Sequence, residues 1–186
     1  MPYLYAAGLE ASRQGTPVLR PMLLEFPDDP AVAYLDRQYM LGADLLVAPV
    51  FTESGEVEFY LPAGLWTSYL TGDTVQGPCW RREPHGFDSL PLYVRDGAVL
   101  PVGARTDRPD YDYLDALTLE VYPASAAETR TITVTTPDGR EATFAVEHRG
   151  ADATVTSSLS DGWSLRVAGS HSVPAADGRA QSTTGA

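Results

Sequence analysis

From Asp44 onward the apolar residues fall on alternate positions, and a period of two fits a strand and excludes an amphipathic helix. In GEVEFYLP, Val57, Phe59 and Leu61 share one face, while Glu56, Glu58 and Tyr60 share the other. The same alternation returns in LTLEVYP, TRTITVTTPDGREATFAVEHR and DATVTSSLSDGWSLRVAG. DLLVAPVF is a continuous apolar run, the pattern of a strand covered on both faces. Asp96-Gly97 reads as a hairpin or bulge turn, and Pro137-Asp138-Gly139 and Ser160-Asp161-Gly162 as hairpin turns. Short strands at regular spacing predict a mainly β chain built as two consecutive antiparallel β-sandwiches.

The N-terminus breaks this pattern. Residues 3–14 predict a helix, with Gly15 as its C-terminal cap and Pro17 just beyond. Tyr3, Leu4, Tyr5, Ala6, Ala7, Leu9 and Ala11 surround its first turns, and a helix apolar all round belongs inside a larger structure. PDDP at 27–30 is a turn, and Ala31–Asp36 holds a short helical turn. The polar stretch ARTDRPDYD separates the two β-rich units, and SHSVPAADGRAQSTTGA reads as a disordered tail.

Composition narrows the function classes. A net charge of −12 argues against nucleic acid, whose phosphates would be repelled. All 13 basic residues are arginine, scattered singly except for Arg81–Arg82, so they form no phosphate-binding patch. No apolar run reaches the roughly 18 residues of a membrane span, and the start lacks a secretory pattern. The single cysteine, Cys79, excludes an intramolecular disulfide and a Cys-based zinc site. A cytoplasmic protein without a cofactor is the expectation.

No catalytic set emerges from the residues. His85 lies in a loop near Asp88 and reads as a histidine bonded to backbone. Asp28 and Asp29 are adjacent in a turn, which points their carboxylates apart. Asp107, Asp110, Asp112 and Asp115 lack the glycine and spaced acceptors of a calcium loop and read as a solvated linker. Glu56 and Glu58 read as surface charge. No phosphate loop, metal-spaced His/Cys cluster or nucleophile elbow occurs. Aromatics remain. Trp66, at a strand start, and Trp80, in a loop, could stack on sugar rings together with Tyr60, Tyr69 and Phe87. Aromatics in a small sandwich more often fill its core, so the two rings are expected to pack on each other or on Phe87.

Taken in order, MPYLY, GTPVLRPMLLEFPDDP, DRQYMLGADLLVAPVF, EFYLPAGLWTSYLTGD and HGFDSLPLYVRDGAVLP resemble the C-terminal third of glycoside hydrolase family 31. EFPDDPAVAYLDRQYMLG with PHGFDSLPLYVRDG is most similar to the bacterial α-xylosidases of that family. The resemblance is continuous to about residue 110 and weaker beyond 115. It implies a parent enzyme with an N-terminal β-sandwich, a (β/α)8 barrel and two C-terminal sandwiches. Residues 1–26 would be the last barrel helix and its exit, 27–104 the proximal sandwich, 105–170 the distal one and 171–186 the tail. The helix would then pack against a barrel not present here, and its exposed faces could drive self-association. The family hydrolyses α-glycosides with retention, using two aspartates about 5–5.5 Å apart at the ends of barrel strands. No aspartate of this chain matches either, so no catalytic residue is carried over, and α-xyloside or α-glucoside would be met only through the parent. The reading is a structural module of an α-xylosidase-type hydrolase. The alternatives are a free-standing carbohydrate-binding module using Trp66 and Trp80, or a subunit completing a barrel encoded separately.

Overall fold

The computed structural model describes residues 1–150, 152–168 and 171–182. The chain divides into two compact units, one of residues 15–96 and one of residues 1–14 with 97–186.

In the first unit, β1 (Leu19–Pro21), β2 (Tyr39–Leu41), β3 (Leu45–Val47), β4 (Glu56–Ser68), β5 (Thr74–Pro84) and β6 (Leu92–Arg95) join in one sheet, ordered β1-β2-β3-β6-β4-β5. Every neighbouring pair is antiparallel. The β4–β5 hairpin dominates. It closes at Gly72, whose φ of +80° suits glycine, with Ser68 N–H bonding Asp73 C=O at 2.8 Å. Its register shifts between Leu61 and Gly64, the irregularity that lets one strand bend. Alternation places Val57, Phe59 and Leu61 in the core as expected, beside Met22, Met40, Leu46 and Trp66. Met22 lies on a single helical turn, α2 (Met22–Glu25).

The second unit holds two four-stranded sheets. One is ordered β14-β11-β10-β9, from β9 (Glu128–Thr135), β10 (Glu141–Arg149), β11 (Asp152–Ser157) and β14 (Arg179–Ser182). The other is ordered β13-β12-β8-β7, from β7 (Val99–Val102), β8 (Leu117–Val121), β12 (Trp163–Val167) and β13 (Val173–Pro174). Leu117, Leu119, Val134, Phe144, Val146, Val155, Trp163 and Leu165 make its core, with Phe144 and Trp163 edge to face at 5.3 Å. Arg166 pairs with the buried Glu120 across β12 and β8.

The mainly β, largely antiparallel architecture matches the expectation, and four details correct it. β8 and β12 run parallel, Leu119 opposite Leu165. Pro137-Asp138-Gly139 does close the β9–β10 hairpin, but Ser160-Asp161-Gly162 carries the chain from β11 in one sheet to β12 in the other. Asp96-Gly97 likewise joins strands that do not pair, and the first unit ends there instead of at residue 104. Finally, residues 179–182 of the expected tail form β14, with Ala180 and Ser182 buried against β11. Alternating Ala180 and Ser182 are too small to stand out by hydrophobicity. Residues 183–186 lie outside the described part.

The helix α1 (Pro2–Gln14) forms as predicted and stops at Gly15, whose φ is +77°. Within this chain it has neighbours of its own. It belongs to the second unit, where it meets β7 and β9, and the Tyr5 ring stands edge-on to Tyr113 at 5.5 Å. Pro2 and Ala7 are buried, whereas Leu4 stays exposed. No helix among the described residues is long and apolar enough to cross a membrane.

Candidate functional site

Trp66 and Trp80 do not form a joint platform. Trp66 sits within β4, 1% exposed, and its indole N–H donates to Pro62 C=O at 2.9 Å. Phe26 packs on it at 6.2 Å, and the Arg95 guanidinium lies 4.9 Å from the Phe26 centroid. Burial removes this ring from any ligand. Trp80 stands within β5, not in a loop, and is 55% exposed. Its neighbour is Tyr60, directly opposite on β4, with ring centroids 5.4 Å apart. Phe87 is fully exposed and Tyr69 exposed.

Tyr60 is held from three sides. Its hydroxyl donates to Asp29 Oδ2 at 2.8 Å, while Asp29 Oδ1 accepts from Ala31 N–H and so caps the short 3₁₀ turn Pro30–Val32. The Gln38 side chain donates to Tyr60 C=O at 2.8 Å and accepts from Tyr60 N–H at 2.7 Å. One buried amide thus takes the place of a neighbouring strand, which satisfies both backbone groups. Burial first, and the bond to Asp29 second, push the Tyr60 phenol up to about 12.

Beyond the Tyr60–Trp80 pair, Glu58 stands opposite Arg82, with a 4.0 Å contact between carboxylate and guanidinium. Glu56 follows two residues further along β4. Arg37, Phe51, Glu56, Glu58 and Arg82 line a shallow cavity of about 200 Å³ beside this row. The charged strand face expected from Glu56 and Glu58 is therefore one wall of a concavity.

The His85 ring bonds side chains, while its main-chain N–H donates to Gly55 C=O at 2.9 Å. Its Nδ1 lies 3.1 Å from Ser89 Oγ and its Nε2 3.3 Å from Glu83 Oε2, so its partners are Ser89 and Glu83 instead of Asp88. Glu83 Oε1 accepts from Tyr93 O–H at 2.6 Å and from Arg81 at 3.0 Å. Burial, then the bond to Glu83, raise the Tyr93 phenol well above its ordinary range. With both carboxylate oxygens of Glu83 engaged, this cluster ties β5 to β6. In the polar segment, Asp107 pairs with Arg105, and Asp112 pairs with Arg140, which also holds Asp138. Thr136 and Arg140 hold the Asp138 carboxyl down at about 2. Among the described residues no three His, Cys, Asp or Glu side chains converge in a metal-binding group.

Sequence reasoning did not single out Gln38, and read Asp29 only as a turn residue. A buried glutamine replacing a strand carries no periodic signal, since its partner lies 22 residues away.

Comparison with known proteins bears on both units. Residues 15–100 match the glycosyl hydrolase family 31 C-terminal domain, and residues 112–186 match the alpha-xylosidase YicI C-terminal domain. The alpha-xylosidase of Emericella nidulans is 43% identical over 128 residues, covering 64% of this chain and 16% of the relative. Alpha-xylosidase XylQ of Lactiplantibacillus pentosus is 39% identical over 126 residues, covering 66% of this chain and 16% of the relative. The cycloalternan-forming enzyme of Listeria monocytogenes superposes with a TM-score of 0.77 at 28% identity, covering 89% of this chain and 17% of that one. The GH31 alpha-xylosidase of Xanthomonas citri superposes at 0.76 over 97% of this chain and 22% of that one, and its 22% identity speaks for the fold alone. The chain thus spans about a sixth of the length of the two relatives named.

Proposed function

Because the chain belongs to glycosyl hydrolase family 31, as its C-terminal portion, we propose that it is the β-structured support of a retaining α-xylosidase-type hydrolase acting on terminal α-xylosyl or α-glucosyl groups. The observation that carries this reading is the succession of two family C-terminal domains in one chain, together with 43% and 39% identity to α-xylosidases. The catalytic carboxylates belong to the other domains of the parent. A retaining mechanism needs two of them about 5–5.5 Å apart across the scissile bond, and Asp29, Glu83, Asp107, Asp112 and Asp138 are each engaged in an ion pair, hydrogen bond or cap. Exposed Leu4 on α1 and exposed Leu19, Leu23 and Leu24 around α2 offer apolar contacts to those domains. A cytoplasmic location fits the free Cys79.

The chain alone is expected to release no nitrophenol from an aryl α-xyloside above the buffer rate. Replacing the corresponding C-terminal portion of XylQ with residues 1–186 is expected to give a folded chimera that hydrolyses the same substrate. Turnover by the isolated chain, abolished by a mutation within it, would overturn the reading. So would a folded chimera without activity.

A further inference from the structure

We propose that the face of the β4–β5 hairpin centred on Trp80 is a binding surface for a neutral oligosaccharide. Trp80 is the one tryptophan of three whose ring reaches solvent, since Trp66 and Trp163 are 1% and 3% exposed. Tyr60 backs it at 5.4 Å, and Tyr60 is itself fixed by Asp29 and by the two bonds from Gln38. The indole is therefore presented from a braced position, and ordering it on a ligand costs little side-chain entropy.

The ligand class follows from what surrounds the ring. Next along the same face come Glu58 and Arg82, with side chains 60% and 67% exposed, and then the cavity lined by Arg37, Phe51 and Glu56. Two guanidiniums stand against two carboxylates, so neither an anion nor a cation is favoured. Both donors and acceptors of planar, bidentate geometry are available. A ligand matching this surface has an apolar face for the indole, edges carrying hydroxyl groups that both donate and accept, and no net charge. A pyranose ring has that chemistry. Trp80, Arg82 and Pro84 follow one another on one face of β5, so the row extends about 14 Å at ~3.4 Å per residue, room for a short chain of linked rings. β5 is the edge strand of its sheet, so this row is open along one side.

The test is a heteronuclear NMR titration of the full chain with xylotriose and with maltotriose up to about 50 mM, a range that reaches the ~4 kcal/mol of a millimolar site. The expected result is saturable movement of the Trp80 indole N–H and the Arg82 side chain with at least one sugar. Trp80→Ala should weaken binding at least tenfold and Arg82→Ala threefold or more, while Trp66→Phe leaves it within twofold. If Trp80→Ala fails to fold, Arg82→Ala and Glu58→Gln, at exposed side chains, carry the test. Absence of saturable shifts with both sugars would overturn the proposal. So would unchanged affinity in these variants, or shielding of the Trp80 indole that grows with protein concentration, which would make the face a protein contact.

Discussion

At the scale of single residues, the positions that matter most are those with no substitute. Gln38 satisfies both backbone groups of Tyr60 from a buried site. Gln38→Ala leaves a donor and an acceptor without partners and is expected to cost about 2–4 kcal/mol, read as a lower denaturation midpoint with unchanged slope. Gly77 lies against the register shift of β4, where an added Cβ would run into the carbonyl oxygen of Pro62. Gly77→Ala should therefore destabilise by about 2–3 kcal/mol in thermal or chemical denaturation. Tyr60 makes a prediction in pH. Its phenol is raised in the fold to about 12, so its contribution to stability is full below the ordinary value near 10 and is lost as pH rises through about 12. Phenolate absorbance should show Tyr60 among the last of the ten tyrosines to ionise. Asp29→Asn should bring it only part of the way back, because burial is the larger cause.

Among the elements, β14 and α1 lie at the two chain ends and both belong to the second unit. Removing residues 179–186 strips β14 from β11 and exposes the positions that Ala180 and Ser182 cover. A loss of several degrees in the melting temperature is expected, in line with about 1–2 kcal/mol for a unit of this size. Removing residues 1–14 takes Tyr5 from Tyr113 and should likewise lower the melting temperature. An unchanged melting temperature with more monomer on gel filtration would instead mean that the helix serves only contacts with other chains. The elements were also the most legible part of the sequence. Long alternating runs such as Glu141–Arg149 appear as strands because one face is covered. Their pairing was less legible. The Pro137-Asp138-Gly139 and Ser160-Asp161-Gly162 turns have the same local chemistry, yet one closes a hairpin and the other changes sheets, because tertiary packing decides which strand lies next. The candidate site was half legible: aromatic content drew attention to both tryptophans, but the exposure of one and burial of the other depend on which face of the hairpin each occupies.

For the molecule as a whole, the stretch from Ala104 to Asp110 is exposed throughout and carries Arg105 and Arg108. Exposed connections are cut first, so brief trypsin digestion should break the chain there, seen as two fragments by mass spectrometry. Arg108 precedes Pro109, a bond trypsin does not cut, so the cut falls after Arg105, and resistance of the Arg105–Thr106 bond would show that the segment is protected in solution. The parallel pairing of β8 with β12 reaches further than stability. A parallel neighbour cannot be supplied by a tight hairpin, and here Leu117 must wait for Trp163, its partner in register. On the ribosome, at about 5–20 residues per second, β8 emerges seconds before the strand that covers its open edge. During that interval β8, paired only with the earlier β7, presents an open apolar edge of the kind that recruits chaperones or other nascent chains. A stalled or prematurely terminated message ending between residues 121 and 163 would therefore yield a product in which that edge is never closed.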